Sequence, residues 1–267
     1  MRRDMQQRGF TLIELIAVIV IITILAVMGS SFVLQTANAY HDTVNRTRLI
    51  QTARQSIEQL TRYLRIAVPN SIRVSANNLC IEWIPVVGGG HYLGELPDTN
   101  NGASATSSIS TGPMGFDVGS SEYVIVAPLT SAEVYGGNTV ALYAGINSSS
   151  VPNVLSLTSA KQFLRNSVNK RIFIGGLPMQ ACVDGGELRL HEGYTSSGSL
   201  PSLASLTGSP PNTGIVMAEG VNPTAELPFS ITNGTQDRNT IVDIEMPFRE
   251  GGEQIVIRHQ VMVRNVP

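Results

Sequence analysis

The chain has 267 residues, a length that allows one or two domains. Charged residues make up only 14% of it, against roughly 25% in an average soluble domain. Residues 1–68 contain eight arginines and four acidic residues, whereas residues 69–267 contain ten basic and sixteen acidic residues. A body with this acidic balance and few lysines lacks the clustered cations that neutralise phosphates, so the composition argues against a nucleic-acid-binding protein.

The first element in chain order is an apolar segment long enough to span a bilayer. Residues 10–34 are apolar apart from Gly29 and five polar residues, Thr11, Glu14, Thr23, Ser30 and Ser31. A membrane-spanning helix needs about 20 predominantly apolar residues. Three arginines precede the segment, and the positive-inside rule therefore predicts a cytoplasmic N-terminus and an exported body.

Three interpretations of this segment are open. It is a secretory signal peptide that is cleaved after the small-x-small tripeptide Ala37-Asn38-Ala39, a plain membrane anchor, or a segment used first for export and later as an assembly surface. Glu14 favours the third interpretation. An acid at the centre of a membrane helix costs roughly 2.5–3.5 kcal/mol, and neither a signal peptide nor an anchor gains anything from it.

The stretch "RGFTLIELIAVIVIITILAV" resembles the class III signal of type IV pilins and pseudopilins. The matching features are a short basic leader ending in Gly9, then Phe10, then Glu14 and a long apolar run. The resemblance implies that a membrane prepilin peptidase cuts after Gly9 and methylates the new amine of Phe10. It also implies that the Glu14 carboxylate pairs with the Phe10 amine of a neighbouring subunit, which would set the register of a filament.

A single helix is predicted from Phe10 to about Val68. From Ile50 to Ala67 apolar residues recur at steps of three and four, which is the spacing of one helix face, and Pro69 provides a stop. Many major pilins have a proline soon after the apolar run, whereas this chain has none before Pro69. Gly29 remains a candidate weak point in the helix.

The predicted fold class is α+β. The apolar half of the helix is expected to protrude, and its amphipathic half to pack on a mainly antiparallel β head of residues 69–267, after a basic leader of residues 1–9. Strands are predicted at 79–87, 122–129, 139–144, 171–177, 187–193, 240–248 and 253–265. Long loops are predicted at 97–121, 145–153 and 195–214, and a short helix at Thr158–Asn166.

The two cysteines, Cys80 and Cys182, are too far apart in sequence for a metal motif. In an exported body they are candidates for one disulfide, which would contribute about 4–5 kcal/mol in the chain-entropy model. The alternative is two unrelated buried thiols.

The sequence contains no recognisable catalytic constellation. The four histidines are dispersed, and neither a zinc-protease motif nor a phosphate-binding loop is present. We therefore predict a non-enzymatic protein with no cofactor, no metal and no small-molecule substrate.

Asp184 and Glu187 flank a Gly-Gly turn and could bind calcium, although a solvated hairpin is the more ordinary interpretation. Asn147 and Asn233 begin glycosylation sequons that we treat as chance matches.

The resemblance implies a single-pass inner-membrane protein with its head in the periplasm, later part of a filament or its tip at the cell surface. Its expected partners are the prepilin peptidase and methyltransferase, other pilins through the N-terminal helix, the membrane and the inner-membrane assembly platform.

The large body favours a minor pilin, similar to those of the mannose-sensitive haemagglutinin (MSHA) pilus, with the J-type pseudopilin of type II secretion as the alternative. An adhesive module that uses the long loops is compatible with both, and a soluble periplasmic protein released after Ala39 is the remaining alternative.

Overall fold

The computed structural model describes residues 10–114, 119, 122–192, 214–223, 227–234 and 239–264. Its elements in chain order are α1 Leu12–Arg65, β1 Arg73–Val74, β2 Cys80–Trp83, β3 Val86–His91, β4 Thr106–Thr111, β5 Tyr123–Ile125, α2 Ser131–Tyr135, β6 Val140–Asn147, β7 Asn153–Lys161, β8 Arg171–Gly175, β9 Met179–Asp184, β10 Glu187–His191, β11 Ile215–Glu219, β12 Phe229–Thr232, β13 Thr240–Glu250 and β14 Glu253–Val263. The chain divides into two compact units, Met1–Arg48 and Leu49–Pro267, and each is described by itself.

The described part of the first unit is the beginning of α1. Its apolar side chains are exposed throughout, including Ile13 at 72% and Leu25 at 62%. The hydroxyl groups in this part are bonded within the helix: Thr23 Oγ1 donates to the Ile19 carbonyl oxygen at 2.7 Å, and Ser30 and Ser31 bond to carbonyls three residues earlier. An apolar helix whose hydroxyls are paired internally suits a hydrocarbon environment.

In the second unit, one face of α1 belongs to the main hydrophobic core. The buried residues of this face are Leu49, Ala53, Ile57, Leu60 and Leu64, which recur at helical spacing. They pack with apolar side chains of the five-stranded and three-stranded sheets, such as Trp83 and Val261. The predicted amphipathic stripe is therefore the core face of the helix.

The helix ends at Arg65, three residues before the predicted boundary, because the following backbone joins a sheet. The Val68 N–H donates to the Ile84 carbonyl oxygen, and the Val86 N–H donates to the Ile66 carbonyl oxygen, both at 2.8 Å. The first bond replaces the helical hydrogen bond of the Val68 N–H, the second occupies the Ile66 carbonyl oxygen, and Pro69 prevents any return to the helix.

Two antiparallel sheets share the core with α1. The five-stranded sheet has the strand order β1-β2-β9-β10-β11, and the three-stranded sheet has the order β12-β13-β14. A hairpin with the turn Gly251-Gly252 joins β13 to β14, and both glycines have positive φ, as a tight turn requires.

The opposite face of the five-stranded sheet is polar although it is buried. Arg73 lies opposite Glu82 and forms an ion pair with it, and Glu82 lies opposite Gln180 on the next strand. The guanidinium carbon of Arg73 is 3.5 Å from the ring centre of Tyr135. A row of polar side chains thus crosses this sheet inside the head.

The six-stranded sheet has the order β3-β8-β5-β6-β7-β4 and holds a second core. Its two outer strands approach each other at one end: the Leu93 N–H donates to the Ser110 carbonyl oxygen at 2.8 Å, and the Gly112 N–H donates to the His91 carbonyl oxygen at 3.0 Å. The sheet therefore curls until its edges meet.

The α+β prediction is confirmed, and each of the seven predicted strand segments contains a strand. The predicted helix at Thr158–Asn166 is wrong, because β7 runs through Lys161 and pairs with β4 and β6. The loop predicted at 97–121 contains β4, and α2, β1, β11 and β12 were not predicted. Almost all of the predicted loop 195–214 lies outside the described residues.

Candidate assembly segment

Thr11 caps the start of α1. The Glu14 N–H donates to the Thr11 Oγ1 at 3.4 Å and to the Thr11 carbonyl oxygen at 3.1 Å. A threonine followed three residues later by glutamate is typical of helix starts. This signal is present in the sequence, and it places the first helical residue at Leu12 rather than Phe10.

Glu14 lies in the first turn of α1 with its side chain exposed. The N-terminal end of a helix carries a partial positive charge, which stabilises a carboxylate there. Within the described residues no ion pair involves Glu14, so the side chain is available to a charge from another molecule. Phe10 is 80% exposed and directly precedes the capping residue, whereas Gly9 lies outside the described residues.

Among the described residues, α1 is the one helix that is long and apolar enough to cross a membrane. Its most apolar window of 18 residues has a mean hydropathy of 2.9 and lies near the N-terminus. The window is not covered by any other part of the described chain. The helix as a whole is longer than the stretch of about 20 residues that a bilayer span requires.

Residues 4–30 match the family model described as the prokaryotic N-terminal methylation motif. The match covers 27 of the 267 residues, and this segment is type IV pilin-like. The motif is a class III prepilin signal, which implies processing by a prepilin peptidase and anchoring in the inner membrane before assembly with other pilins. Proteins of the pilin family are structural subunits and not enzymes. No curated protein and no solved structure matches the chain significantly.

The roles of individual residues in this pilin-like segment stay predictions. They are cleavage between Gly9 and Phe10, methylation of Phe10, and charge pairing by Glu14. The rival cleavage tripeptide, Ala37-Asn38-Ala39, lies inside α1. A signal-peptidase site should be extended, so the helical conformation argues against release of the head at this point.

The head positions the two cysteines directly opposite each other, Cys80 on β2 and Cys182 on β9. Their Cα atoms are 4.1 Å apart, and a disulfide joins the side chains. Both residues are buried, and the bond closes a loop with a sequence separation of 102. It links two neighbouring strands of the five-stranded sheet.

The acidic pair considered for calcium lies at the ends of the β9–β10 hairpin. Asp184 and Glu187 face each other across the Gly185-Gly186 turn, and Glu187 forms an ion pair with Arg189. Within the described residues, no group of three or more histidine, cysteine or acidic side chains has a geometry suited to a metal ion. The ion pair gives Glu187 a structural role in the hairpin.

Proposed function

We propose that this chain is a minor pilin of the MSHA type, similar to the O-type subunit of that system. In this proposal the peptidase removes residues 1–9, and the mature subunit starts at an N-methylated Phe10. It then helps to prime the filament or lies near its tip. The observation that carries the proposal is the methylation motif at residues 4–30, together with the exposed apolar side chains of the part of α1 that it overlaps.

The charge chemistry of the N-terminus supports assembly through Glu14. Cleavage after Gly9 creates a cationic amine on Phe10, next to a neutral capping residue and four residues from the carboxylate. In a low-dielectric filament core an unpaired carboxylate or amine is costly, and the pair is favourable when the two charges meet. An amine from one subunit and Glu14 from its neighbour would satisfy both groups and fix the axial register.

The first test is mass spectrometry of the N-terminal peptide from native protein extracted from membranes. We expect a peptide that begins with N-methyl-Phe10. A chain that begins at Tyr40 would contradict the proposal and identify the apolar segment as a discarded signal. An uncleaved Met1 terminus would also contradict it and leave a plain anchor. A Gly9→Val variant serves as the control, because it should keep its leader while it still inserts into the membrane.

A second test separates the minor pilin from the J-type pseudopilin of type II secretion, which shares the same motif and layout. Deletion of the coding sequence should abolish or sharply reduce surface pili and leave the secretion of exoproteins unchanged. Loss of secretion with normal pili would overturn the pilus assignment in favour of the pseudopilin.

A further inference from the structure

A cleft of about 530 Å³ opens in the second unit between the end of α1 and strands β3 and β8. Its volume lies in the range of small-molecule sites. Much of its lining is apolar and includes Ile66, Pro69 and Phe173. The lining also contains three arginines and one histidine, Arg65, Arg171, Arg264 and His91.

The guanidinium groups of the three cleft arginines have no bonding partner in the described chain. No hydrogen bond or ion pair engages the guanidinium group of Arg65, Arg171 or Arg264 within the described residues, and the same holds for Arg54 and Arg62 on the exposed face of α1. Other arginine side chains of the head are bonded, as in the pairs Arg73–Glu82, Arg165–Glu133, Arg189–Glu187, Arg249–Gln254 and Arg258–Glu245. No described acidic side chain lines the cleft. In a body with an excess of acidic residues, this arrangement leaves a local positive site without an internal partner.

The strand register explains how the floor of the cleft combines charge with an open apolar surface. His91 lies opposite Arg171, and Gly89 lies opposite Phe173. Directly opposed residues project from the same face of a sheet, so these four residues share one face. A Cβ atom at Gly89 would lie 3.8 Å from Phe173 Cδ1. The glycine therefore leaves part of the Phe173 ring uncovered.

The backbone of β3 adds hydrogen-bonding groups to the same place. β3 is an outer strand of the six-stranded sheet, and Gly89 and Gly90 line the cleft. Alternate N–H and C=O groups on the outer side of an edge strand are not used by the sheet. On β3 the Val86 N–H and the His91 carbonyl oxygen are bonded to residues outside the strand, which leaves the outward groups between them. They can therefore bond to the hydroxyl groups of a ligand.

We propose that this cleft binds an acidic sugar, with its carboxylate or sulfate held by the arginines and its ring against Phe173. Guanidinium groups bind the paired oxygens of carboxylates and of tetrahedral oxyanions through two parallel hydrogen bonds, which makes arginine the side chain suited to such a group. A nucleic acid fits less well, because it needs a continuous basic track and the rest of the body is acidic. The proposal concerns the head alone and does not depend on the pilus assignment.

The binding test uses the full chain in a non-ionic detergent and isothermal titration calorimetry at low salt. The probes are digalacturonate, a sulfated disaccharide, a neutral disaccharide and sodium sulfate. We expect at least one acidic disaccharide to bind about tenfold more tightly than the neutral sugar and than sulfate alone. Its affinity should fall as the salt concentration is raised. No binding of either acidic sugar would overturn the proposal. Equal affinity for sodium sulfate would also overturn it, because the sugar ring would then contribute nothing to the binding free energy.

The matched variants are Arg65→Gln and Arg54→Gln. Both arginines are exposed on α1 in the second unit and the substitutions remove the same charge, but only Arg65 lines the cleft. We expect Arg65→Gln and Arg171→Gln each to weaken binding about tenfold, as the loss of one charged hydrogen bond should, and Arg54→Gln to leave it unchanged. An equal loss in Arg54→Gln would show that only the overall charge matters and would contradict the site. Thermal unfolding of each variant checks that the head is intact, and Arg65→Gln tests the proposal even if Arg171→Gln is unstable.

Discussion

At the scale of single residues, Glu14 combines a local role with one that requires another molecule. Its backbone N–H bonds to the capping residue Thr11, while its carboxylate has no ion-pair partner within the described residues. Only the backbone part of this arrangement survives if the side chain is made apolar. A substitution at this position can therefore separate helix formation from assembly.

We predict that Glu14→Val inserts into the membrane and is cleaved after Gly9, yet fails to support pili. Valine removes the charge that would meet the Phe10 amine of a neighbour, while it lowers the cost of membrane insertion. The measurements are N-terminal mass spectrometry and counts of surface pili in cells that carry the variant. Thr23→Val is the control, because the Thr23 hydroxyl is already bonded within the helix. Normal piliation with Glu14→Val would refute charge pairing in this subunit.

Glu133 is a second residue whose carboxylate organises its surroundings. It accepts two hydrogen bonds from Arg165, at 2.7 and 2.8 Å, and one from the Leu129 N–H at 3.0 Å. Arg165 also donates to the carbonyl oxygen of Ala127, a residue with a positive φ of 46°. The Arg165 bonds, more than any other contact, hold the pKa of Glu133 below its usual value.

We predict that Glu133→Gln lowers the free energy of unfolding by about 1–2 kcal/mol at neutral pH, because a charged hydrogen-bond pair is lost. A depressed pKa in the folded state stabilises the protein above the ordinary glutamate pKa of 4.5, and this stability is lost as the pH falls through the lower folded-state pKa. The difference in the free energy of unfolding between the variant and the parent chain should thus shrink in acid. Denaturant unfolding at pH 7 and at pH values below the ordinary glutamate pKa of 4.5 measures this difference.

The comparison for this prediction is Glu245→Gln, which breaks the exposed pair with Arg258. Exposed ion pairs contribute little to stability, so this variant should unfold nearly like the parent chain. A difference between Glu133→Gln and the parent that stayed constant at every pH would show that the carboxylate charge is not the cause.

At the scale of elements, the pairing of β2 with β9 is fixed both by packing and by the disulfide. Ile81 and Ala181 lie opposite each other on the core face, while Cys80 and Cys182 lie opposite each other on the other face. The noncovalent pairing therefore does not depend on the covalent bond. The bond acts mainly on the unfolded chain, whose freedom it restricts.

We predict that the double substitution of Cys80 and Cys182 by serine preserves the fold and lowers the free energy of unfolding by about 4–5 kcal/mol, the chain-entropy value for a loop of this length. Denaturant unfolding of the head measures the change. Reduction of the parent chain should cause a similar loss, and the same reductant should have no effect on the double variant. An unchanged stability would mean that the bond does not constrain the native protein.

The elements also show where sequence patterns are ambiguous. "NVLSLTSAK" forms β7, although Thr158–Asn166 can be read as a capped helix. The competing factor is pairing with two neighbours, since β7 lies between β6 and β4. Local helix preference is weak compared with the hydrogen bonds and side-chain packing of a central strand.

At the scale of the whole molecule, the end of α1 is part of the head. Five core residues on this helix, Leu49, Ala53, Ile57, Leu60 and Leu64, are at most 3% exposed. Fully burying a leucine or isoleucine contributes about 1.5–3 kcal/mol, so the set is worth about as much as the whole stability of a typical domain. A boundary drawn at Pro69, where the helix was predicted to stop, would cut through this core.

We predict that a fragment of residues 49–267 is soluble and unfolds cooperatively, whereas a fragment of residues 69–267 does not fold. The longer fragment retains the core face of α1 and lacks the exposed apolar run. Circular dichroism melting curves and binding of a hydrophobic dye distinguish the two outcomes. Equal melting temperatures for the two fragments would contradict the role of the helix in the core.

The sequence by itself determined the features that depend on neighbouring residues. The pilin-like signal, the long helix, its apolar and amphipathic parts, and most strands follow from composition and periodicity, because a span or an alternating strand is written in consecutive positions. The helix cap is also local in sequence, because Thr11 lies three residues before the Glu14 N–H that it bonds.

Only the tertiary structure decided which distant residues meet. The helix ends at Arg65 because residues from elsewhere in the chain bond to the backbone of Ile66 and Val68. Arg65, Arg171 and Arg264 line one cleft although they lie far apart in sequence, and no spacing rule predicts such a convergence. Strand order and register bring these residues together, and both are set by the packing of the whole head around its cores.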